Sequence, residues 1–504
     1  MEKDIRYSRP LATAERLGDI AEDRHRFADK HVLVTGEPSI LSTANGQESL
    51  LASLRLLIRI CRNVSVALPC EADHLLARSK EEIQPLAFGG PVRFDAFPGD
   101  PSSYDAILSI GSTAKPDLPW TVINSNGWLA RVSSGRMSLP SDCGAPNPIA
   151  ALAAASLGVS EVFKRLIRLK PSRGALLDGL SFSLFNYRSD ERDPGPPLPA
   201  ELNINLMVAG AGAIGNGIVY TLSKLPIGGR LNIVDRQCFG PENLGTCILI
   251  GPANIGKRKA EVAAAYLSRR IKAGAYAEDL ESFEAHLGAG LPYPNVILNG
   301  LDNIDARHQV QKLWADLTVD GAIGDLGRQV SRHPWGEDVA CLICLFREPP
   351  GQLAEVVESR ASGLSRIRVQ QGMDVVTEED VQATPQKKRA QLGKQIGRQI
   401  CSVVQEAIAR QLSEEELEKG FAPSVPFVAC LGASMVVGEM VKHYAGWPTP
   451  LEPKFQFDVL HGPAFGQMFP QARRRDCVCV ARAHNIEVVR QKHYSMSIEG
   501  GLHG

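Results

Sequence analysis

Short apolar runs that end in glycine mark where strands begin this chain's two halves. Residues 31–35 (HVLVT) lead into Gly36, and residues 206–209 (LMVA) lead into Gly210. After the second run the pattern alternates. It predicts a helix from about 215, a strand over 231–235 (LNIVD), a helix near 256–270 and a strand over 295–300 (NVILNG). Apolar runs of this length, alternating with helical periodicity, argue a parallel sheet with helices on both faces. A second pattern recurs at longer range: PIAALAAASLGVSEVFK at 148–164 and PFVACLGASMVVGEMVK at 426–442. In one ungapped register Pro148 matches Pro426, Ser156 matches Ser434, Glu161 matches Glu439 and Lys164 matches Lys442. Each reads as a helix with proline at its start and small residues along it, so the chain reads as two copies of one α/β unit.

The organisation follows. Residues 1–187 form the first α/β domain and 188–204 a linker rich in proline and charge. Residues 205–345 and 425–480 form the second domain, interrupted over 346–424 by a polar, mostly helical insertion with a flexible charged run (VVTEEDVQATPQKKR). The last sixty or so residues read as irregular, with 481–504 a loose tail. At 504 residues two or three domains are expected. A formal net charge of −1 gives no electrostatic footprint for nucleic acid. The opening lacks an apolar signal, and no segment approaches the roughly 20 apolar residues that span a bilayer, so no membrane partner and a cytoplasmic location are expected. Eleven cysteines in a chain this long do not read as a secreted disulfide framework.

Gly210-Ala-Gly212-Ala-Ile-Gly215 joins an apolar strand to a helix. Its glycines permit a tight turn, and the helix N-terminus offers N–H groups to a phosphate. Asp235 closes the next strand, at the spacing of a carboxylate that takes ribose hydroxyls. This much alone suits NAD or FAD equally. Lys259 begins the following helix, and Asp302 falls at the carboxyl edge of the sheet. Singly they read as a solvated charge and a helix cap. Together they suit phosphoryl chemistry, with lysine against a phosphate oxygen and carboxylate on Mg²⁺.

GAGAIG, Asp235, PENL at 241–244, GKRKAE at 256–261, LDNIDAR at 301–307 and CLIC at 341–344 follow one another as in the ubiquitin-activating enzymes. The chain resembles that superfamily, which includes the bacterial enzymes that adenylate sulfur-carrier proteins. Residues 6–10 (RYSRP) look like its N-terminal signature. The resemblance implies two Rossmann-like adenylation domains in tandem, inactive then active, with a small helical cysteine-bearing insertion. It implies ATP, Mg²⁺ and Zn²⁺ as cofactors, and a ubiquitin-like protein and a conjugating enzyme as partners, in a bacterial conjugation system linked to phage defence. Arg9 would reach the ATP of the second half, and Asn243 would join Gly210, Gly212, Gly215, Asp235, Lys259 and Asp302 at the nucleotide. Two departures stand out. Thr246 replaces the arginine usual after Asn-Leu, leaving Arg258 or Arg307 to compensate. The first half reads TGEPSILS after its strand, where Glu37 repels phosphate and Pro38 removes a donor.

Cys341, Cys344, Cys477 and Cys479 are expected to form one structural zinc site, although the second pair is C-x-C and not C-x-x-C. Cys401 is the only cysteine of the insertion and the candidate thioester nucleophile, with Lys387, Lys388, Arg389, Lys394 and Arg398 nearby to favour thiolate. Leu392, Ile396, Ile400, Val404 and Ile408 form an apolar stripe that instead makes it a helix-core residue. The expected activity is ATP-dependent activation of a ubiquitin-like protein through adenylate and thioester. The alternatives are an adenylating enzyme without thioester, for sulfur transfer or peptide modification, and a non-catalytic nucleotide-binding scaffold.

Overall fold

The two halves of the chain build two sheets with the same strand order. The computed structural model describes residues 5–17, 29–94, 99–268, 270–324, 326–346, 358–359, 361–414, 425–449 and 453–499. The first sheet holds β1 (His31–Gly36), β2 (Asn63–Val66), β3 (Arg93–Phe94), β4 (Ala106–Ile110), β5 (Trp120–Asn126), β6 (Leu129–Ser133) and β7 (Leu180–Ser183), ordered 3-2-1-4-5-6-7. The second holds β8 (Leu202–Ala209), β9 (Ile227–Val234), β10 (Ala273–Tyr276), β11 (Val296–Asn299), β12 (Leu317–Gly324), β13 (Gly327–Pro334), β14 (Lys454–Asp458) and β15 (Gln467–Phe469), ordered 10-9-8-11-12-13-14-15. In each, the first strand pairs in parallel with the second on one side and the fourth on the other. The order reverses there, and a crevice opens beyond the carboxyl ends of those strands.

The helices that matter below are α1 (Ser8–Leu17), α2 (Ala44–Leu57), α3 (Pro148–Leu166), α4 (Ala213–Leu222), α5 (Lys259–Leu267), α6 (Ile304–Gln311), α7 (Ile400–Glu414), α8 (Pro426–Tyr444) and α9 (Ala483–Glu499). The repeated segments are α3 and α8. They pack on each other at the join of the halves, with the Phe163 and Phe427 rings 5.3 Å apart. The repeat also preserves a buried ion pair. Lys164 meets Glu161 at 2.6 Å and donates to the Ala175 carbonyl at 3.0 Å. Lys442 pairs with Glu439 and donates to the Phe185 carbonyl at 3.0 Å. Removing one partner of such a pair leaves a buried charge uncompensated, at about 3–5 kcal/mol, which accounts for both charges persisting in both copies.

Three local expectations are corrected. The run expected to be flexible forms two short helices, Glu378–Ala383 and Gln386–Gly393, because Thr377 and Asp380 make a capping box and Arg368 clamps Asp380 at 2.8 and 3.0 Å. The irregular C-terminal region contains β14 and β15, which extend the second sheet. The loose tail is α9 over 483–499, tied back by Arg490 to Asp316 at 2.6 Å. No helix among the described residues is long and apolar enough to cross a membrane.

Candidate functional site

Gly210 leaves β8 with φ +86°, a conformation glycine adopts freely, and turns the chain into α4. The turn is so tight that a Cβ on Gly215 would lie 1.9 Å from the Gly210 carbonyl oxygen, whereas one on Gly212 would meet nothing within 4 Å. Asp235, just past β9, braces the turn by accepting the Ala211 amide at 2.7 Å and the Gln237 amide at 2.8 Å. Asp302, just past β11, is exposed, and its carboxylate has no hydrogen bond or ion pair among the described residues. Asn243 caps its own turn, accepting the Gly240 amide at 3.0 Å. Lys259 begins α5, is 2% exposed and donates to Gln237 Oε1 at 2.7 Å. The glycine loop, Asp235 and Asp302 thus gather at the crevice of the second sheet.

The first half reaches into this region. The turn Ile5–Tyr7 and α1 pack on the turn Pro241–Gly245, with the Arg6 carbonyl so close to Gly245 that no side chain fits there. Arg59, at the end of α2, is fully buried and donates to the carbonyls of Leu244, Ile248 and Ile250 at 3.0, 2.7 and 2.9 Å. It pins the loop that carries Asn243. Arg9 is half-buried, and its Nε has no hydrogen-bond partner among the described residues. Next to it stands Glu242, 1% exposed, with neither carboxylate oxygen hydrogen-bonded among the described residues. Burial raises its carboxyl above the usual range, against the pull of Arg9 and Lys259. Glu242 lies within PENL, and only its burial beside Arg9 marks it out from an ordinary acidic turn residue. Thr246 is buried and, among the described residues, its hydroxyl bonds within its own turn. Arg307 is committed to Asp320 at 3.1 Å and lies over Phe346, so it is not a spare charge for the missing arginine. Arg258 turns to Met373 of the insertion.

The four paired cysteines meet. Their sulfurs lie within 4.8 Å of one another, with Cys341 and Cys477 at 3.7 Å and Cys344 and Cys479 at 3.5 Å. Tetrahedral Zn–S bonds of about 2.3 Å put sulfurs roughly 3.8 Å apart, so the donor set fits zinc. Burial pushes the Cys479 thiol up to about 12, so a metal ion entering the cluster would displace protons.

Cys401 is the second residue of α7. It is 9% exposed and stands apart from the insertion's own core of Leu364, Val369, Val376, Leu392, Ile400, Val403 and Val404. Its amide donates to the Gly372 carbonyl at 2.9 Å. Cys238, in the loop that follows Asp235, lies within electrostatic reach of the Cys401 thiol. Burial, then the nearness of Cys401, raises the Cys238 thiol. Three of the expected basic residues have partners of their own. Lys388 and Arg389 bond to the carbonyls of Ala361 and Thr384 at 2.7 and 2.8 Å, and Arg398 pairs with Glu406 at 2.6 Å. The side chains of Lys387 and Ile408 lie outside the described residues. Ile396 falls between helices and is 45% exposed, so it is not part of the stripe.

The matching crevice of the first half is filled by Glu37. Its carboxylate accepts the Thr113 amide and the Ser112 hydroxyl, both at 2.8 Å, across the mouth between β1 and β4. Burial works against the charge, yet the Thr113 amide and the Ser112 hydroxyl hold the carboxyl below its usual range. Its stabilisation is therefore present above the unfolded carboxyl range, about 4.3, and fades as pH falls through the lower folded range. Glu37→Gln is expected to destabilise at pH 7 and to match wild type near pH 3. Urea unfolding at both pH values checks this, and a gap that persists in acid would refute it.

A two-sheet fold whose glycine loop, Asp235 and Asp302 stand at the second crevice defines the class. The ThiF family model matches residues 202–479, more than half of the chain, and the BilD N-terminal domain model matches residues 31–182. The chain belongs to the ThiF family and is an adenylating enzyme related to the ubiquitin-activating enzymes. A Sinorhizobium fredii protein, y4jF, is 25% identical over 93% of this chain and 92% of that protein. The catalytic subunit of the Saccharomyces cerevisiae NEDD8-activating enzyme is 29% identical over 24% of this chain and 40% of that subunit. Its Caenorhabditis elegans counterpart is 29% identical over 26% of this chain and 30% of that subunit. This chain thus matches less than half the length of those two subunits. The solved structure of Escherichia coli MccB aligns with a TM-score of 0.36 and 14% identity, over 55% of this chain and 65% of that one.

Proposed function

We propose that this chain activates a ubiquitin-like protein in a bacterial conjugation system linked to phage defence, first as an adenylate and then as a thioester. ATP lies on the Gly210–Gly215 loop, where Gly212 leaves open space. Asp235 keeps lone pairs for ribose beyond its two backbone bonds, and the Asn243 amide group is free to donate because its oxygen is engaged. An oxygen of the carrier's C-terminal carboxylate bonds to the α-phosphorus, the bond to the β-phosphate oxygen breaks, and pyrophosphate leaves. Lys259 and Arg9 stabilise the charge that develops. The unpartnered Asp302 carboxylate suits Mg²⁺, which would supply neutralisation of phosphate oxygens. Cys401 Sγ then bonds to the acyl carbon, the bond to AMP breaks, and the thiol proton goes to solvent. A conjugating enzyme receives the carrier from Cys401. The four-cysteine cluster holds structural zinc.

The observation that most supports this reading is Arg9, delivered from the first half beside Glu242 and Lys259 of the second. A reading that stops at the adenylate draws on the burial of Cys401, 9% exposed. The test is ATP–pyrophosphate exchange with a ubiquitin-fold protein ending in glycine. Exchange that depends on that carboxyl terminus is expected, and exchange without any carrier, or ATP bound but never exchanged, would sink the proposal. In the same assay Arg9→Ala is expected to lose roughly a hundredfold, mostly in kcat, because it acts on charge formed in the transition state. A loss of less than threefold would remove Arg9 from that role.

A further inference from the structure

The helix that carries Cys401 is tied to the lysine of the nucleotide site through two glutamines. Lys259 Nζ donates to Gln237 Oε1 at 2.7 Å, and Gln405 Nε2 donates to the same oxygen at 2.9 Å. Gln237 follows Asp235 in the loop after β9, whereas Gln405 lies on α7, 168 residues away. One oxygen with two lone pairs therefore joins the two parts of the chain. Gln405 comes four residues after Cys401, so both side chains emerge from one face of α7. That face is turned to the second half, because Gln405 reaches Gln237 and the Cys401 thiol lies within electrostatic reach of Cys238 in the same loop. The side-chain oxygen of Gln405 is buried with no hydrogen-bond partner among the described residues. A buried amide left half-satisfied costs about 1–3 kcal/mol, which a purely structural contact has no reason to keep. The helix packs in addition on α1, the source of Arg9, and on the turn that holds Glu242.

We propose that Gln405 is a positioning residue for the nucleophile: through Gln237 it registers α7 on Lys259, so that the Cys401 thiol is held at the place where the adenylate forms. This rests on the proposed roles of Lys259 and Cys401 and adds the link between them. The step it serves is attack of Cys401 Sγ on the acyl carbon, with AMP leaving. Gln405 itself touches no reacting atom, and its effect falls on the fraction of molecules whose thiol is correctly aimed.

Two variants test this, Gln405→Ala and the nearly isosteric Gln405→Met, which keeps volume and helix propensity while deleting the donor. The first readout needs no carrier and no ATP: maleimide labelling of Cys401, resolved by peptide mass spectrometry, with fully buried Cys430 as a fold reporter. Cys401 is expected to label at least tenfold faster in both variants while Cys430 stays unlabelled. Labelling of Cys401 within twofold of wild type in Gln405→Met would overturn the proposal. The second readout is single-turnover thioester formation divided by ATP–pyrophosphate exchange. That ratio is expected to fall at least tenfold, and a ratio that stays constant, with both rates falling together, would make Gln405 a support of Lys259 alone and overturn the proposal. If wild type forms no thioester at all, the functional reading fails, while the labelling result still decides whether Gln405 holds the helix in place.

Discussion

Lys259→Ala is expected to lower carrier-dependent ATP–pyrophosphate exchange by roughly a thousandfold, a barrier increase of about 4 kcal/mol. Lys259 is 2% exposed, and its ammonium already has an oriented partner in Gln237. A cation held in place before the reaction pays no reorganisation cost when charge develops on the phosphate, and low local polarity strengthens its field. Lys259→Arg is expected to fail as well, by at least a hundredfold. Lys259 is buried between Gln237 and the Phe239 ring, 5.8 Å from Nζ, and a planar, larger guanidinium does not replace a compact ammonium there without displacing them. Initial-rate exchange with purified variants of unchanged circular dichroism is the measurement. Exchange within tenfold of wild type in Lys259→Ala would mean that another group carries the charge.

The second large effect concerns the cysteine cluster. Metal analysis is expected to find about one zinc per chain, and Cys341→Ser or Cys479→Ser to remove it. The cluster joins Cys341 and Cys344 beyond β13 to Cys477 and Cys479 beyond β15, and α9 follows directly. Without the metal, four thiols would lose the interaction that draws 341–344 to 477–479. Structural zinc contributes on the order of 10 kcal/mol in small domains. Even a third of that lowers Tm by roughly ten degrees in a domain of this size. Trp335 and Trp314 lie in the surrounding apolar cluster and give a local fluorescence signal. Zinc-free protein with an unchanged melting curve would exclude the assignment.

Motif and spacing made the second crevice legible, because its groups come from short segments with local rules. The glycine loop, Asp235, Lys259 and Asp302 each follow a strand or open a helix, and strand–helix periodicity fixes such points. The repeated Glu and Lys of α3 and α8 were visible as letters, but the buried ion pairs that explain them were not. What escaped came from contacts distant in sequence. Gln237 and Gln405 look like ordinary polar residues until the insertion folds back. Arg59 looks like a surface charge near a helix end, yet it spans the two halves and binds three carbonyls. Glu37 was legible as an acidic residue standing after the first strand. Its hydrogen bonds to Thr113 and Ser112 add that the first crevice is filled by the protein's own anion. The basic residues before Cys401 were legible as letters, but the partners of three of them, the Ala361 and Thr384 carbonyls and Glu406, were not. Strand β9 begins at Ile227, four residues before the apolar run, since Gly228 to Arg230 pair with Asn203 to Asn205 of β8 whatever their side chains.

The most direct measurement is a non-reducing gel of the chain with ATP, Mg²⁺ and the carrier, comparing wild type, Cys401→Ser and Cys401→Ala. A covalent adduct cleaved by thiol is expected in wild type, a thiol-resistant ester in Cys401→Ser, and none in Cys401→Ala. A thiol-sensitive adduct that persists in Cys401→Ala would contradict this expectation and move the nucleophile to another cysteine.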